Sequence, residues 1–125
     1  MPKSDSPQLC WLDAVQEHDY PAAEAYLRIL YPDAKARALV AQLRTAAITE
    51  FKAKDIFRAS QLSLLGVSNS HVQKDRKKIG AGMGLSPLLL VRDGDHGRVV
   101  IADGYHRMCA IYSFDEDALI HCKII

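Results

Sequence analysis

The first 47 residues carry hydrophobic positions at helical spacing in three successive segments. Each segment begins at or near a proline. Proline favours the first turn of a helix, because a backbone N–H at that position would have no intrahelical partner. The hydrophobic positions are Leu9, Leu12 and Val15 after Ser6-Pro7; Ala25, Tyr26, Ile29 and Leu30 after Pro21; and Ala36, Leu39, Val40, Leu43 and Ala47 after Pro32. We expect three helices that cover one face of a sheet, although the same run could dock a protein partner.

From residue 48 onward, strand patterns alternate with helix patterns. In the segment from Ile48 to Ala53, Phe51 and Ala53 alternate with Lys52 and Lys54, which predicts a strand with one solvated face. Asp55 is suited to cap a short helix that Gly66 would end. The sequence from Ser70 to Gln73 fits a capping box, and the basic helix that it begins should stop at Gly80.

The remaining residues predict a hairpin, a helix and a last strand. Residues 88–91 form a nearly continuous apolar run, which is typical of a central strand covered on both faces. Residues 93–97 have turn composition, and residues 98–101 predict the returning strand. A helix over residues 104–113 and a strand over residues 119–125 complete the pattern. Three helices followed by β-α-α-β-β-α-β predict an α/β fold with a small mixed sheet.

The length of the chain favours one globular domain, and its net charge bears on binding to polyanions. The 125 residues match the usual size of one domain, with residues 1–47 as a helical extension and residues 48–125 as the core. Sixteen basic and fifteen acidic residues give a net charge of +1. Bulk charge therefore provides no general attraction to nucleic acid or to an anionic membrane, and binding to nucleic acid stays open.

The sequence favours a cytoplasmic protein. No apolar run approaches the ~18 residues that a membrane-spanning helix needs, and residues 1–7 lack the apolar segment of a secretory signal. Cys10, Cys109 and Cys122 are odd in number and have no paired spacing. We expect three free, partly buried thiols in a reducing compartment.

The segment from Asp103 to Arg107, written DGYHR, carries the chemistry that can be inferred from the residues. It follows an apolar strand and begins a helix, so the first N–H groups of that helix lack intrahelical partners. Gly104 leaves the main chain accessible, Arg107 adds a permanent charge, and His106 adds a donor that titrates near neutral pH. Such a first turn can bind an oxyanion or a phosphate. Alternatively, Asp103 only caps the helix.

The DGYHR segment, its preceding apolar strand and the following Met108-Cys109-Ala110 resemble the signature of the ParB/sulfiredoxin-like superfamily. The resemblance covers roughly residues 48–125. It implies that Gly104, Tyr105, His106 and Arg107 face a nucleotide phosphate, with Asp103 beside them. The family includes ATP-using sulfinic acid reductases, a free-serine kinase and CTP-dependent DNA-segregation clamps.

The resemblance implies a domain that binds a nucleotide or another phosphorylated small molecule, with phosphotransfer or hydrolysis as activities open to it. The reductases carry a nucleophilic cysteine where this chain has Tyr105, which argues against a reductase. Asp103 could help to hold Mg²⁺ on a bound nucleotide. A second candidate is a non-catalytic module that binds a protein through residues 1–47 or a nucleic acid through the basic helix.

Two further clusters have their own alternatives. Asp103 and His106 could meet His121 and Cys122 to bind zinc if the last strand passes the DGYHR segment. The basic residues from Lys74 to Lys78 are typical of a solvated helix face. Residues 80–84 are glycine-rich and predict a flexible connection that could serve as a lid.

Overall fold

The structure is a computed structural model that describes residues 8–63 and 69–125. The described residues confirm the predicted α/β fold with a small mixed sheet. Their elements in chain order are α1 (Asp19–Leu30), α2 (Asp33–Thr45), β1 (Thr49–Lys52), α3 (Ala53–Ser60), α4 (Ser70–Gly80), β2 (Leu88–Asp93), β3 (Arg98–Asp103), α5 (Tyr105–Phe114) and β4 (Leu119–Ile124).

The four strands form one mixed sheet in the order β1-β4-β2-β3. β2 and β3 are the predicted antiparallel hairpin, joined through a short 3-10 turn at Gly94–His96. β4 runs parallel to β2 and antiparallel to β1, which lies at one edge of the sheet. β2 lies between two strands and its first four residues are buried, so the prediction of a central strand is confirmed.

Helices cover both faces of the sheet. Because side chains alternate along a strand, Leu88 and Leu90 of β2 pack with α3, α4 and α5, whereas Leu89 and Val91 pack with α1 and α2. The N-terminal helices therefore close the second apolar layer of the same sheet. Ala36, Val40 and Leu43 of α2 are buried in that layer, as the periodicity of this segment predicts.

The first predicted helix is wrong over the described residues. Its start at Ser6-Pro7 lies outside them, and residues 8–18 form no helix. Leu85 instead takes up the backbone hydrogen-bonding groups of this segment: the Leu12 N–H donates to the Leu85 carbonyl at 2.8 Å, and the Leu85 N–H donates to the Cys10 carbonyl at 2.8 Å. These long-range bonds hold residues 10–12 against Leu85, which precedes β2.

Helix α1 exists, but its predicted buried face is wrong. The residues that face the sheet are Asp19, Tyr20, Ala23 and Leu27. Ala25, Tyr26, Ile29 and Leu30, which the periodicity placed in the core, are exposed. Both sets have helical spacing, and the packing of α1 against β3 decides which of them is buried.

The starts of α3 and α4 differ from the predicted caps. α3 begins at Ala53 rather than after Asp55, because the Ala53 N–H donates to the Ala118 carbonyl at 2.9 Å and the chain needs no side-chain cap there. α4 is capped by Asn69, whose side-chain oxygen accepts from the N–H groups of His71 and Val72 at 3.0 and 3.2 Å.

In α4, Ser70 is therefore the first helical residue and no capping box forms. The predicted end at Gly80 is confirmed. α3 ends at Ser60, and the predicted stop at Gly66 lies outside the described residues. The β1 strand is confirmed, although all four of its residues are exposed.

The predicted change from strand to helix around Asp103 is confirmed, since β3 ends at Asp103 and α5 begins at Tyr105. The expectation for the cysteines is confirmed for two of them: Cys109 and Cys122 are buried and form no disulfide. Cys10 is free and exposed, because it lies on the extended segment before α1 and not in a helix. Over residues 8–63 and 69–125, no helix has the length and apolar character needed to cross a bilayer.

Candidate functional site

The junction between β3 and α5 depends on a glycine. Gly104 is the N-cap of α5 and has a φ of +103°, a conformation that other residues rarely adopt. A Cβ at this position would lie 2.6 Å from Cγ of Leu88 and 2.8 Å from Nη2 of Arg107. The space beside its α-carbon is therefore filled by the protein's own side chains. The sequence predicts that a ligand approaches the main chain at Gly104. On this side of Gly104, Leu88 and Arg107 make that approach instead.

Arg107 lies between two carboxylates. Its Nη2 is 2.8 Å from Oδ2 of Asp103, one turn earlier in the chain, and 3.7 Å from Oδ2 of Asp19 at the start of α1. Only 16% of the Arg107 side chain is exposed. The Ser86 hydroxyl also donates to Oδ2 of Asp19, at 2.5 Å. The DGYHR segment is thus tied directly to the N-terminal helical layer.

Sequence reasoning missed Asp19 and Ser86. Asp19 lies 84 positions before Asp103, and an acidic residue at a helix start carries no sign of burial. Its carboxylate is nevertheless almost fully buried, because α1 packs across the sheet with its first turn facing the end of β3. The sequence near Asp19 carries one related signal: Asp19 precedes Pro21, which marks the beginning of a helix but not a buried position.

The electrostatics of this cluster raise the pKa of Asp103 above its ordinary value. Burial raises the pKa of the Asp103 carboxyl and the negative charge of Asp19 raises it further, while Arg107 acts in the opposite direction. Two carboxylates share a single guanidinium, and Nε2 of His18 lies 3.2 Å from the other oxygen of Asp19. The cluster has a net negative charge when both acids are ionised and His18 is neutral. A cation close to both carboxylates would relieve that excess.

Two sets of donors at the start of α5 are left without a protein partner in the described part of the chain. No side chain caps the helix, so the N–H groups of its first turn have no side-chain acceptor. The Nε of Arg107 is buried and makes no hydrogen bond among the described residues. A buried donor without a partner is costly, which makes it a group that a bound acceptor would satisfy.

His106 faces α4. Its ring centre lies 4.8 Å from that of His71, in the first turn of α4. Burial lowers the pKa of His106, and the neighbouring His71 lowers it further, against a smaller effect of Asp75. An anion bound beside His106 would favour the protonated form of this ring.

Tyr105 lies beside His106, with 5.7 Å between the ring centres. Its hydroxyl donates to the backbone carbonyl of Ser63, and burial raises its pKa. The first turn of α5 thus has two sides: Tyr105 and His106 face residue 63 and α4, whereas Arg107 and Asp103 face α1. The two sides meet at the free N–H groups of the turn.

The alternative zinc site is not formed. Among the residues that the structure describes, no three His, Cys, Asp or Glu side chains are grouped to hold a metal ion. His121 instead stacks on Trp11 with ring centres 5.0 Å apart and lies 3.3 Å from a carboxylate oxygen of Glu50. Cys122 is the next residue of β4 and is buried with the α3–α5 layer, on the opposite face of the strand.

The basic residues of α4 are partly engaged within the protein. The guanidinium of Arg76 lies 4.0 Å from the ring centre of Phe114 and donates to the Ser113 hydroxyl, so it fastens α4 to α5. Lys74 and Lys77 are exposed. This arrangement matches the predicted solvated face, with one basic side chain used for packing.

Comparisons with known proteins found no similarity: no protein-family model, no curated protein and no solved structure matches this chain. The candidate site therefore stands on its geometry and on the residues of the DGYHR segment.

Proposed function

We propose that this chain binds a phosphate-bearing small molecule, such as a nucleotide, at the first turn of α5. One observation carries the proposal: the uncapped first turn lies between the half-buried His106, whose ring adjoins that of the exposed His71, and the buried, unpaired Nε of Arg107. Free N–H groups at a helix start carry partial positive charge and favour an anion. A phosphate group at this turn would satisfy donors that otherwise lack a partner.

Mg²⁺ fits the nucleotide form of this proposal. Mg²⁺ is usually held by one or two carboxylates together with phosphate oxygens and water. Asp19 and Asp103 supply two carboxylates that already approach the same nitrogen of Arg107. Asp19 and Asp103 would hold the ion, which would supply positive charge beside a bound phosphate. The residues of the chain would orient the phosphate through the first-turn N–H groups and His106.

The resemblance to the ParB/sulfiredoxin-like superfamily supports the same ligand class. Under this proposal the protein is a cytoplasmic nucleotide- or phosphate-binding domain, in agreement with its free cysteines. Phosphotransfer or hydrolysis would need a group that activates a hydroxyl or a water molecule. Asp103 is a carboxylate at the end of β3, next to this turn, but its pairing with Arg107 favours a role in positioning. We therefore propose binding of the phosphate compound as the function.

A thermal-shift screen tests the proposal first. Inorganic phosphate, ATP and CTP would be added separately, each with and without Mg²⁺. A ligand present at 100 times its dissociation constant adds about 2.7 kcal/mol to the free energy of unfolding. We expect at least one of these compounds to raise the melting temperature, and we expect Mg²⁺ to increase the effect of the nucleotides.

Titration calorimetry with the compound that stabilises most would then locate the site. Arg107→Ala should weaken binding by about 1.5–3 kcal/mol, the usual value of a hydrogen bond to a charged group. Arg98→Ala is the matched control, because Arg98 also pairs with an aspartate but lies at the opposite end of β3. Circular dichroism would establish that both variants are folded at the temperature used.

Asp103 does not cap α5, because Gly104 is the N-cap and no side chain caps the helix. Asp103→Ala instead separates a role in Mg²⁺-dependent binding from a role in stability through its pairing with Arg107. Under the proposal, this change alters the dependence of nucleotide binding on Mg²⁺. If Asp103 only stabilises the protein, the variant loses stability and binds with unchanged Mg²⁺ dependence. Absence of binding by every compound tested would contradict the proposal and favour the second candidate, a module that binds another macromolecule.

A further inference from the structure

An apolar cleft lies on the sheet face that α3 covers, at the end of the sheet where the β2–β3 hairpin turns. α3 has eight residues and is therefore about 12 Å long, whereas the six residues of β2 extend about 20 Å. The start of α5 packs on Leu88, at the other end of β2. The short α3 thus leaves a cleft of about 260 Å³ beside Leu90 and Val99.

The lining of this cleft is mostly hydrocarbon. Leu90 and Val99 come from the hairpin and Ile56 comes from α3, and all three are buried. Phe51, on the edge strand β1, borders the cleft and is 38% exposed. A ligand that displaces water from such a lining needs an apolar body. Six of the eight described residues along the cleft are apolar: Phe51, Ile56, Ala59, Leu90, Val99 and Ile124.

One charge on the lining lacks a partner. Because side chains alternate along β2, Arg92 points to the same face as Leu90, and it lines the cleft. Among the described residues, no carboxylate lies within ion-pair distance of Arg92. Arg98, at the same end of the hairpin, is by contrast 2.9 Å from a carboxylate oxygen of Asp93. The Arg92 guanidinium is therefore available to an anion.

The second charge on the lining already has a cation beside it. Oδ1 of Asp55 lies 3.5 Å from Nη2 of Arg58, one turn further along α3. The uncompensated charge of the cleft is thus the positive charge of Arg92. A complementary ligand carries one negative group attached to an apolar body.

We propose that the cleft binds a small carboxylic acid with an apolar body, such as a branched short-chain acid. The planar guanidinium of Arg92 matches a carboxylate, which it can bind through two parallel hydrogen bonds. The hydrocarbon part would lie against Leu90, Val99 and Ile56. A volume of about 260 Å³ is just below the usual range of ligand pockets, roughly 300–1,000 Å³, so the body has only a few carbons.

This site does not depend on the proposed phosphate site. The cleft lies beside the Arg92–Val99 pair of the hairpin, whereas Gly104 follows the opposite end of β3. Loss of one activity therefore leaves the other in place, and the two proposals can fail separately.

An NMR titration of methyl-labelled protein with 4-methylpentanoate tests the proposal. The methyl signals of Leu90, Val99 and Ile56 should shift together and saturate. Acetate lacks the apolar body, and 4-methylpentylamine carries an ammonium group in place of the carboxylate. Each of these two compounds should bind at least about tenfold more weakly, because each loses one of the two contacts.

Substitutions then assign the contacts. Arg92→Gln should raise the dissociation constant of 4-methylpentanoate at least about tenfold. Arg98→Gln is the matched control, because it removes the same charge at the same end of the hairpin and Arg98 does not line the cleft. Ala59→Met should also weaken binding, because the longer side chain takes up space in the cleft. Circular dichroism would establish that each variant is folded.

Four results would overturn the proposal. The first is the absence of saturable methyl shifts when 4-methylpentanoate is added to the wild-type chain. The second is equal affinity for the amine, and the third is equal affinity of Arg92→Gln and the wild-type chain for the acid. The fourth is tighter binding of leucine than of 4-methylpentanoate, because Asp55 would then recognise an ammonium group and the ligand would be a zwitterion.

Discussion

Replacing Gly104 with alanine should destabilise the protein by about 2–5 kcal/mol. Placing a residue with a Cβ at a φ of +103° costs about 1–2 kcal/mol of backbone strain. The added methyl group would lie 2.6 Å from Cγ of Leu88, a buried side chain in a central strand. Relieving such an overlap in a packed core costs about 1–3 kcal/mol. The two costs add because they arise from the backbone and from the core respectively.

Two other glycines separate these contributions. Gly97 also has a positive φ, of +64°, but a Cβ there would meet no atom within 4 Å. Gly97→Ala should therefore cost only the backbone strain of about 1–2 kcal/mol. Gly94 has neither a positive φ nor a close neighbour, so Gly94→Ala should change the stability by less than about 1 kcal/mol.

Urea denaturation followed by circular dichroism would measure the three free energies of unfolding. The expected order of destabilisation is Gly104→Ala, then Gly97→Ala, then Gly94→Ala. An equal loss for Gly104→Ala and Gly97→Ala would mean that Leu88 and Arg107 do not fill the space beside Gly104. The geometry of the candidate site would then be wrong.

Further expectations concern a helix cap, the thiols and a histidine. Asn69→Ala should cost about 1 kcal/mol in thermal unfolding, since two N–H groups of α4 lose their acceptor, and no measurable loss would contradict the assigned cap. A thiol reagent followed by mass spectrometry should modify Cys10 rapidly and spare the buried Cys109 and Cys122, because burial raises the pKa of Cys122 to about 12. His106 should titrate below pH 6.5 in proton NMR, because burial lowers its pKa. As pH falls below 6.5 the unfolded state takes up this proton first, so stability decreases, and His106→Gln should reduce that decrease.

Local signals explain what the sequence could predict. The run of residues 88–91 has no polar position, as a strand with helices on both faces requires. The change from strand to helix at Asp103 is marked by a β-branched run followed by a glycine that permits the sharp turn. In both cases the pattern and the structure depend on the same few neighbouring residues.

Long-range packing explains what the sequence could not predict. In α1, a core face through Leu27 and an exposed face through Ile29 have the same spacing, and only contact with β3 distinguishes them. The segment from residue 8 to residue 18 forms no helix because Leu85, far away in the chain, accepts and donates its hydrogen bonds. The partner of Arg107 on α1 is hidden for the same reason: Asp19 becomes its neighbour only when the N-terminal layer closes over the sheet.

An NMR titration with ¹⁵N-labelled protein would test the central claim most directly. The amide signals of residues 105–107 belong to the first-turn N–H groups that the proposed phosphate would contact. On addition of the phosphate compound that stabilises the protein most, these signals should shift together and saturate, along with the ring signals of His71 and His106. The signals of residues 94–97, at the opposite end of the hairpin, should stay in place. If residues 105–107 remain unshifted at saturating ligand, or shift no more than residues 94–97, then phosphate does not bind at the start of α5.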